Sequence, residues 1–184
     1  LLSISISSRI VTQEAEKGMM ALTEQSAKLI QDRINNTMTV LKTMSQTTEV
    51  KGMNIFLQMS SLSRNLEHTD FTTLGVANEK TGEVQFLDET VVNMGESDFI
   101  KSAFEGTSAI SNIIIDSATN KPIIMMATPI YKDDKIVGAL VGTIDVNLLS
   151  QITSDIKYGE TGYAYMIDNK GTLVAHKNAD LVNN

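Results

Sequence analysis

Apolar positions recur every three or four residues across residues 6–46, which is the spacing of one face of an α-helix. The stripe runs through Met19, Leu22, Ser26, Leu29 or Ile30, Ile34, Met38, Leu41 and Met44. The segment contains no proline and one glycine, Gly18, so nothing in it forces a break. At about 1.5 Å per residue such a helix is about 60 Å long, which is more than one small domain covers. We therefore predict a long helix that packs partly on its own domain and partly on a second module or a second copy.

A break at 46–49 precedes a second helical pattern at 53–67, and from Phe71 the period changes to two, which is typical of strands. Ser97 and Gly106 are good start and stop residues for a short connecting helix at 99–105. Five strands are predicted, at 71–77, 83–87, 109–116, 122–131 and 135–145. This order of elements predicts an α+β fold in which the long helix packs on a PAS-like five-stranded antiparallel sheet.

The end of the chain repeats a pattern from its middle. Residues 76–84 and 166–174 each consist of a strand pattern, a polar turn with lysine and glycine, and a second strand pattern. We expect 163–175 to be the first hairpin of a second, incomplete subdomain, preceded by a linker at 157–162. A hairpin that extends the first sheet is the alternative. The predicted division is therefore 1–69 for the two helices, 70–157 for the first subdomain, and 158–184 for the linker and hairpin.

Composition narrows the classes of function. A net charge of −7 argues against nucleic acid or an anionic bilayer surface as a partner, because both favour clustered lysine and arginine. The absence of cysteine excludes thiol nucleophiles and thiolate metal sites. The two histidines, His68 and His176, lie too far apart in sequence to suggest a metal site. No nucleophile motif or phosphate-binding loop is found either, so we expect no catalysis and no cofactor.

Three segments near the end of the chain carry a family resemblance: 138–146 (GALVGTIDV), 148–152 (LLSQI) and 162–176 (GYAYMIDNKGTLVAH). In their residues and in their order along the chain they resemble the double-Cache sensor region of bacterial methyl-accepting chemotaxis receptors. The resemblance implies an extracytoplasmic ligand-binding domain of a membrane-anchored receptor. The apolar stripe of the long helix, which is too long for one subdomain to cover, separately predicts a parallel homodimer along that helix. The resemblance also implies a membrane-distal subdomain that binds a small molecule and the beginning of a membrane-proximal one. Similar sensor regions occur on histidine kinases and diguanylate cyclases, which leaves the output module open.

The same resemblance suggests where a ligand binds. In amino-acid-binding members the connecting helix begins with Arg, Trp and Tyr, which hold the ligand carboxylate. A Tyr-x-Asp on the third strand and an Asp ending the fifth strand hold the amino group. Here the connecting helix offers Asp98 and Phe99, the third strand reads Ile114-Ile115-Asp116, and the fifth strand ends on Asp145. The amine half of the site is thus retained, and the carboxylate half is not.

Strand periodicity supports that assignment independently of the family. Alternation places Ala139, Val141, Thr143 and Asp145 on one face of the last strand, where small side chains before an acid leave space. Two carboxylates over an apolar cavity favour a cationic guest such as an amine. The predicted ligand-binding residues are therefore Asp116, Asp145, Ile114, Thr143, Asp98, Phe99 and Met125.

Structural explanations for the same residues stay open at this stage. Asp145 is also suited to cap a following helix, Asp116 to an exposed turn, and Met125 to the plain core. A structural spacer that senses through a separate binding protein is the matching functional alternative.

Overall fold

The computed structural model describes residues 2–117, 119–146, 148, 157–158, 162–167, 171, 173–176, 178 and 181, with side chains described from Gln13 onwards. The chain divides into two compact units, one formed by Ile34–Val146 and the other by Leu1–Arg33 together with Asn147–Asn184.

Three helices begin the chain. The first helix, α1, spans Leu2–Ser45 and confirms the long helix predicted from the apolar stripe. A four-residue helix, α2 (Thr48–Lys51), occupies the predicted break. Helix α3 covers Ile55–Leu66 and begins at Asn54, whose side chain accepts hydrogen bonds from two N–H groups of the first turn.

The remaining elements of the Ile34–Val146 unit are seven strands and one more helix. Their bounds are β1 Thr73–Asn78, β2 Glu83–Phe86, β3 Val91–Asn93, α4 Asp98–Phe104, β4 Ala109–Ile110, β5 Ile114–Ile115, β6 Pro122–Lys132 and β7 Lys135–Asp145. All five predicted strands are present, although the third is divided into β4 and β5 and the short edge strand β3 was not predicted. The α+β class with a long helix and an antiparallel sheet is confirmed.

The sheet is antiparallel throughout, with the order β3-β2-β1-β7-β6-β4 and with β5 also paired to β6. The first and last strands, β1 and β7, therefore lie side by side in its centre. The long β6–β7 hairpin turns at Asp133 and Asp134, both of which have positive φ, of 49° and 59°. Positive φ at both central residues is the requirement of a tight type I′ hairpin turn, and aspartate tolerates it better than most residues.

The two faces of the sheet contact different helices. One face carries Ala139, Val141 and their cross-strand partners, and these form one buried cluster with side chains of α4. The other face carries the fully buried Leu140 and Met126. Gly142 lies on that second face, against the ring of Phe71, and an added Cβ would come within 2.4 Å of a ring carbon. The ring occupies the space that any other residue at 142 would fill.

The described part of the Leu1–Arg33 and Asn147–Asn184 unit contains two short hairpins. Strands β8 (Lys157–Tyr158) and β9 (Gly162–Tyr163) pair with each other, so the segment predicted as a plain linker has paired ends. Strands β10 (Met166–Ile167) and β11 (Leu173–Ala175) pair as the predicted hairpin. They form a separate two-stranded sheet and do not extend the seven-stranded one. The helix to which an Asp145 cap would belong, at 147–156, lies outside the described residues apart from Leu148.

Candidate functional site

The register of the sheet brings several predicted site residues into one row. Ile123 of β6 pairs with Asp145 of β7 on one side and with Ile114 of β5 on the other. Directly opposite residues point to the same face of a sheet, so the three lie side by side at one end of the face that packs on α4. The next row along contains Met125 and Thr143. The predicted alternation that puts Thr143 and Asp145 on one face agrees with the register, which also brings Ile114 and Met125 to that face.

Thr143 is the polar residue of the second row, opposite Met125. Its side chain is buried, with 5% of the residue exposed, and its hydroxyl Oγ1 has no hydrogen-bond partner among the described residues. Its backbone carbonyl, in contrast, accepts from the N–H of Thr72 at 2.8 Å and from its hydroxyl at 3.1 Å. A buried hydroxyl is normally paired with protein or water, so this one retains hydrogen-bonding capacity close to Asp145.

The space expected beside the small residues of β7 is partly filled. Ala139 and Val141 belong to a buried cluster with Phe99, Ile100 and Ala103 of α4. Met125 and Phe99, both predicted as ligand contacts, are members of the same cluster and are each 5% exposed. The space predicted beside the small residues that lead up to Asp145 is therefore filled at Ala139 and Val141 by side chains of α4. Thr143 and Asp145 lie at the edge of this cluster, because their cross-strand partners Met125 and Ile123 belong to it or pack against it.

Asp145 has a neighbour that sequence reasoning missed. The Nζ atom of Lys121 lies 4.0 Å from Oδ2 of Asp145, and the two side chains are 61% and 26% exposed. Because the β6–β7 hairpin pairs Ile123 with Asp145, residue 121 lies two positions further along the same face of β6. Counting back from the Asp133-Asp134 turn does not reveal this neighbour, because the register shifts by one residue between Ile130 and Tyr131. A positive group thus already lies next to the carboxylate proposed to hold an amine.

Asp116 lies just beyond β5, in the turn that leads to β6. Its carboxylate accepts a hydrogen bond from the hydroxyl of Thr119, and its carbonyl accepts from the N–H of Asn120 at 2.7 Å. Its own N–H donates to the carbonyl of Lys121 at 2.9 Å. Asp116 is half-buried and holds the turn together, which is the structural role left open by the sequence. The turn also positions Lys121, so the two acids are connected through this residue.

The beginning of α4 carries the last predicted contacts. Asp98 is exposed in its first turn, away from the buried cluster that contains Phe99. Ser97 occupies the N-cap position as predicted, although its side chain makes no capping hydrogen bond. Lys101 is the one basic residue of the helix and contacts Glu96 at 2.7 Å. The hydrogen bond and the charge of Lys101 lower the pKa of Glu96, and Glu96 raises the pKa of Lys101 in the same way. Lys101 is therefore engaged elsewhere and does not replace the missing arginine.

A pocket of about 510 Å³ lies at a different place in the Ile34–Val146 unit, between the end of α1 and the far end of β6. None of the seven predicted contacts lines it. In the described part of the chain, no group of three or more histidine and acidic side chains is arranged to hold a metal ion. No helix there is long and apolar enough to cross a bilayer.

Comparisons with known proteins agree with the architecture. Residues 7–184 match the dCache_1 family, described as a Cache domain. A methyl-accepting chemotaxis protein of Pseudomonas putida, McpG, is 31% identical over 68 residues, which cover 37% of this chain and 10% of that protein. The chain thus matches only a small part of that relative's length.

Two solved ligand-binding domains share the fold. One is that of the Campylobacter jejuni chemoreceptor Tlp3 in complex with 4-methylisoleucine, with a TM-score of 0.75 and 14% identity, covering 93% of this chain and 73% of that one. The other is that of the Pseudomonas aeruginosa amino acid chemoreceptor PctC in complex with GABA. Its TM-score is 0.71 and its identity 16%, and the match covers 86% of this chain and 73% of that one.

Proposed function

The chain belongs to the Cache domain family, and on that premise we propose that it is the extracytoplasmic sensor domain of a membrane-anchored chemotaxis receptor. In this proposal the sheet and α4 form a membrane-distal subdomain, and the hairpin of β10 and β11 begins a membrane-proximal one, as in a double-Cache region. The domain binds a small molecule and signals through α1, with no catalytic step. The similarity of part of the chain to a methyl-accepting chemotaxis protein supports a chemotaxis output over a kinase or cyclase.

The proposed ligand class rests on the two polar residues near the end of β7, Thr143 and Asp145. The observation that carries it is the buried hydroxyl of Thr143, which has no hydrogen-bond partner in the described part of the chain and lies two residues before Asp145 on the same face of the strand. A primary ammonium has three donors, and these suit one hydroxyl and one carboxylate at adjacent positions. The ammonium of Lys121 lies 4.0 Å from the Asp145 carboxylate, and in this proposal a bound amine competes with it for that carboxylate. We therefore propose that the site binds the amine end of a small molecule.

Calorimetry with matched pairs of amines and their N-acetyl derivatives tests this proposal. The pairs are GABA with N-acetyl-GABA and putrescine with N-acetylputrescine. Acetylation removes the charge and two of the three donors, so we expect the acetylated end to bind at least about tenfold more weakly. Equal affinities within each pair would contradict an ammonium-binding site. No heat with any amine would favour the spacer, which the dense packing of α4 on the middle of the sheet also supports.

We further propose a homodimer formed along α1. The helix exposes several large apolar side chains, among them Met19 at 43%, Met20 at 67% and Leu29 at 53% of the residue surface. Sedimentation should show concentration-dependent self-association of the chain, and Leu29→Asp should weaken it. Ala27→Asp is the matched control, because residue 27 is exposed about half a turn away from Leu29. A strict monomer at millimolar concentration, or equal effects of both substitutions, would argue against this dimer.

A further inference from the structure

The pocket of about 510 Å³ has the composition of an anion site, although the chain as a whole carries a net charge of −7. Its described lining includes Lys42 at the end of α1 and Lys51 in α2, and no aspartate or glutamate. Neither ammonium group makes a salt bridge within the described part of the chain. The rest of the lining is largely hydroxyl-bearing, with residues from β6 and from the loop after α4. The volume is within the range of about 300–1,000 Å³ that is typical of small-molecule sites.

The hydroxyl groups of the pocket leave donor capacity for a ligand. The Thr128 side chain is buried on β6 and shares a hydrogen bond of 2.9 Å with the Ser108 hydroxyl. Tyr131 is more loosely held, because its OH lies 3.5 Å from the carbonyl oxygen of Gly106, beyond the usual length of about 2.5–3.0 Å for an O–H···O bond. A phenol in that position can turn to donate to a ligand instead. The pocket therefore combines two cationic donors with at least one weakly engaged neutral donor.

Lys42 also lies in the last turn of α1, where a positive charge complements the helix dipole. That role does not occupy its hydrogen-bonding capacity, because the helix end is capped by other groups. The hydroxyl of Ser45 donates to the carbonyl of Lys42 at 2.8 Å, and the hydroxyl of Thr47 donates to that of Met44 at 2.9 Å. The N–H of Gln46 donates to the carbonyl of Thr43 at 3.2 Å. The ammonium of Lys42 is thus not needed to satisfy these carbonyls.

We propose that this pocket is a second binding site, which takes a small divalent anion such as a dicarboxylate or a phosphate. Lysine acts as a point charge and binds both classes, so the shared feature is the double negative charge. The site is separate from the amine site, because Thr128 lies five residues along β6 from Ile123, or about 16 Å at 3.3 Å per residue. An anion held there contacts the end of α1, α2 and the loop after α4 at once. It would therefore join the end of the long helix to the sheet.

Calorimetry of the 184-residue chain with succinate and with inorganic phosphate, at ionic strength matched with NaCl, tests this site. We expect saturable binding of at least one anion and a rise of about tenfold in Kd for each of Lys42→Gln and Lys51→Gln. Lys80→Gln removes the same charge from the exposed β1–β2 turn and should leave Kd unchanged. Binding of succinate alone would assign the pocket to dicarboxylates, and binding of phosphate alone to phosphoryl groups.

Two results would overturn this inference: no saturable heat with either anion, or an equal loss of affinity in the Lys80→Gln control. Lys42 is exposed and Lys51 half-buried, so neither substitution is expected to unfold the protein, and thermal melts of both variants check this. The test is independent of the amine site because neither anion carries an amine. Asp145→Asn should accordingly bind the anions as the unaltered protein does.

Discussion

Leu41→Asp is expected to unfold the Ile34–Val146 unit at 25 °C. Leu41 is fully buried although it belongs to a stripe that runs far along an exposed helix. Burying an unpaired carboxylate costs several kcal/mol, a large part of the roughly 5–15 kcal/mol that stabilises a typical domain. The far-ultraviolet circular dichroism signal of the sheet and its cooperative melting transition should be lost. Leu41→Ala, which only leaves a cavity, should cost about 2–5 kcal/mol and retain a transition at lower temperature.

Val40→Asp is the matched control for this experiment. Val40 is the next residue on α1 and is 40% exposed, so its new carboxylate stays in water. Its melting temperature should lie within a few degrees of that of the unaltered protein. A Leu41→Asp protein that melts cooperatively at a similar temperature would show that this end of α1 does not pack into the domain. The comparison also separates the intramolecular part of the stripe from the part proposed for the dimer.

Asp145→Asn should weaken binding of a primary amine by about ten- to hundredfold while leaving the melting temperature nearly unchanged. Removing the charge from one hydrogen-bonding partner costs about 1.5–3 kcal/mol, which corresponds to that range of Kd. Asparagine caps helices as well as aspartate does, so a residue that served only as a cap would change neither quantity. Calorimetry with the amine that binds best to the unaltered protein measures the difference.

Lys121→Gln is the variant expected to change affinity in the opposite direction. Its ammonium lies 4.0 Å from the Asp145 carboxylate and competes with a bound amine. An exposed ion pair of this length is worth about 0–1 kcal/mol, so removing it should tighten amine binding by up to about fivefold.

Glu79→Gln is the control for Asp145→Asn, because it removes one negative charge from an exposed acid in the β1–β2 turn. If Asp145→Asn binds amines as tightly as the Glu79→Gln control, Asp145 does not belong to the site.

The elements predicted correctly are those that a single local pattern defines. The period of α1 continues over many turns, and the β6–β7 hairpin has long apolar runs on both sides of an Asp-Asp turn. The sequence predicts residues 109–116 as one strand, although Ser111-Asn112 interrupts the apolar residues. In the structure only Ala109–Ile110 and Ile114–Ile115 pair with β6, and the hydroxyl of Ser111 between them accepts from the N–H of Met125 at 2.9 Å. A side chain that takes the place of a backbone partner leaves no periodic signal.

The candidate site was predictable only as far as alternation and hairpin register extend. Alternation places Thr143 and Asp145 on one face. The observed register adds Lys121, which a count across the hairpin does not find because the register shifts by one residue between Ile130 and Tyr131. The filling of the space beside Ala139 and Val141 depends on where α4 packs, which is a tertiary contact that no local pattern encodes. The turn-forming role of Asp116 depends in the same way on one hydroxyl, that of Thr119.

The ring of Phe71 packs against Gly142 and so fixes where the segment after α3 lies along β7. The neighbours on that face of β7, Leu140 and Ile144, both carry bulky side chains, so the ring fits at one position along the strand. Phe71 follows α3 by five residues, and a shift of this segment over the sheet requires the ring to lift out before it can move. We therefore expect this segment to move across the sheet in discrete steps, with the Phe71 ring either packed against Gly142 or released from it.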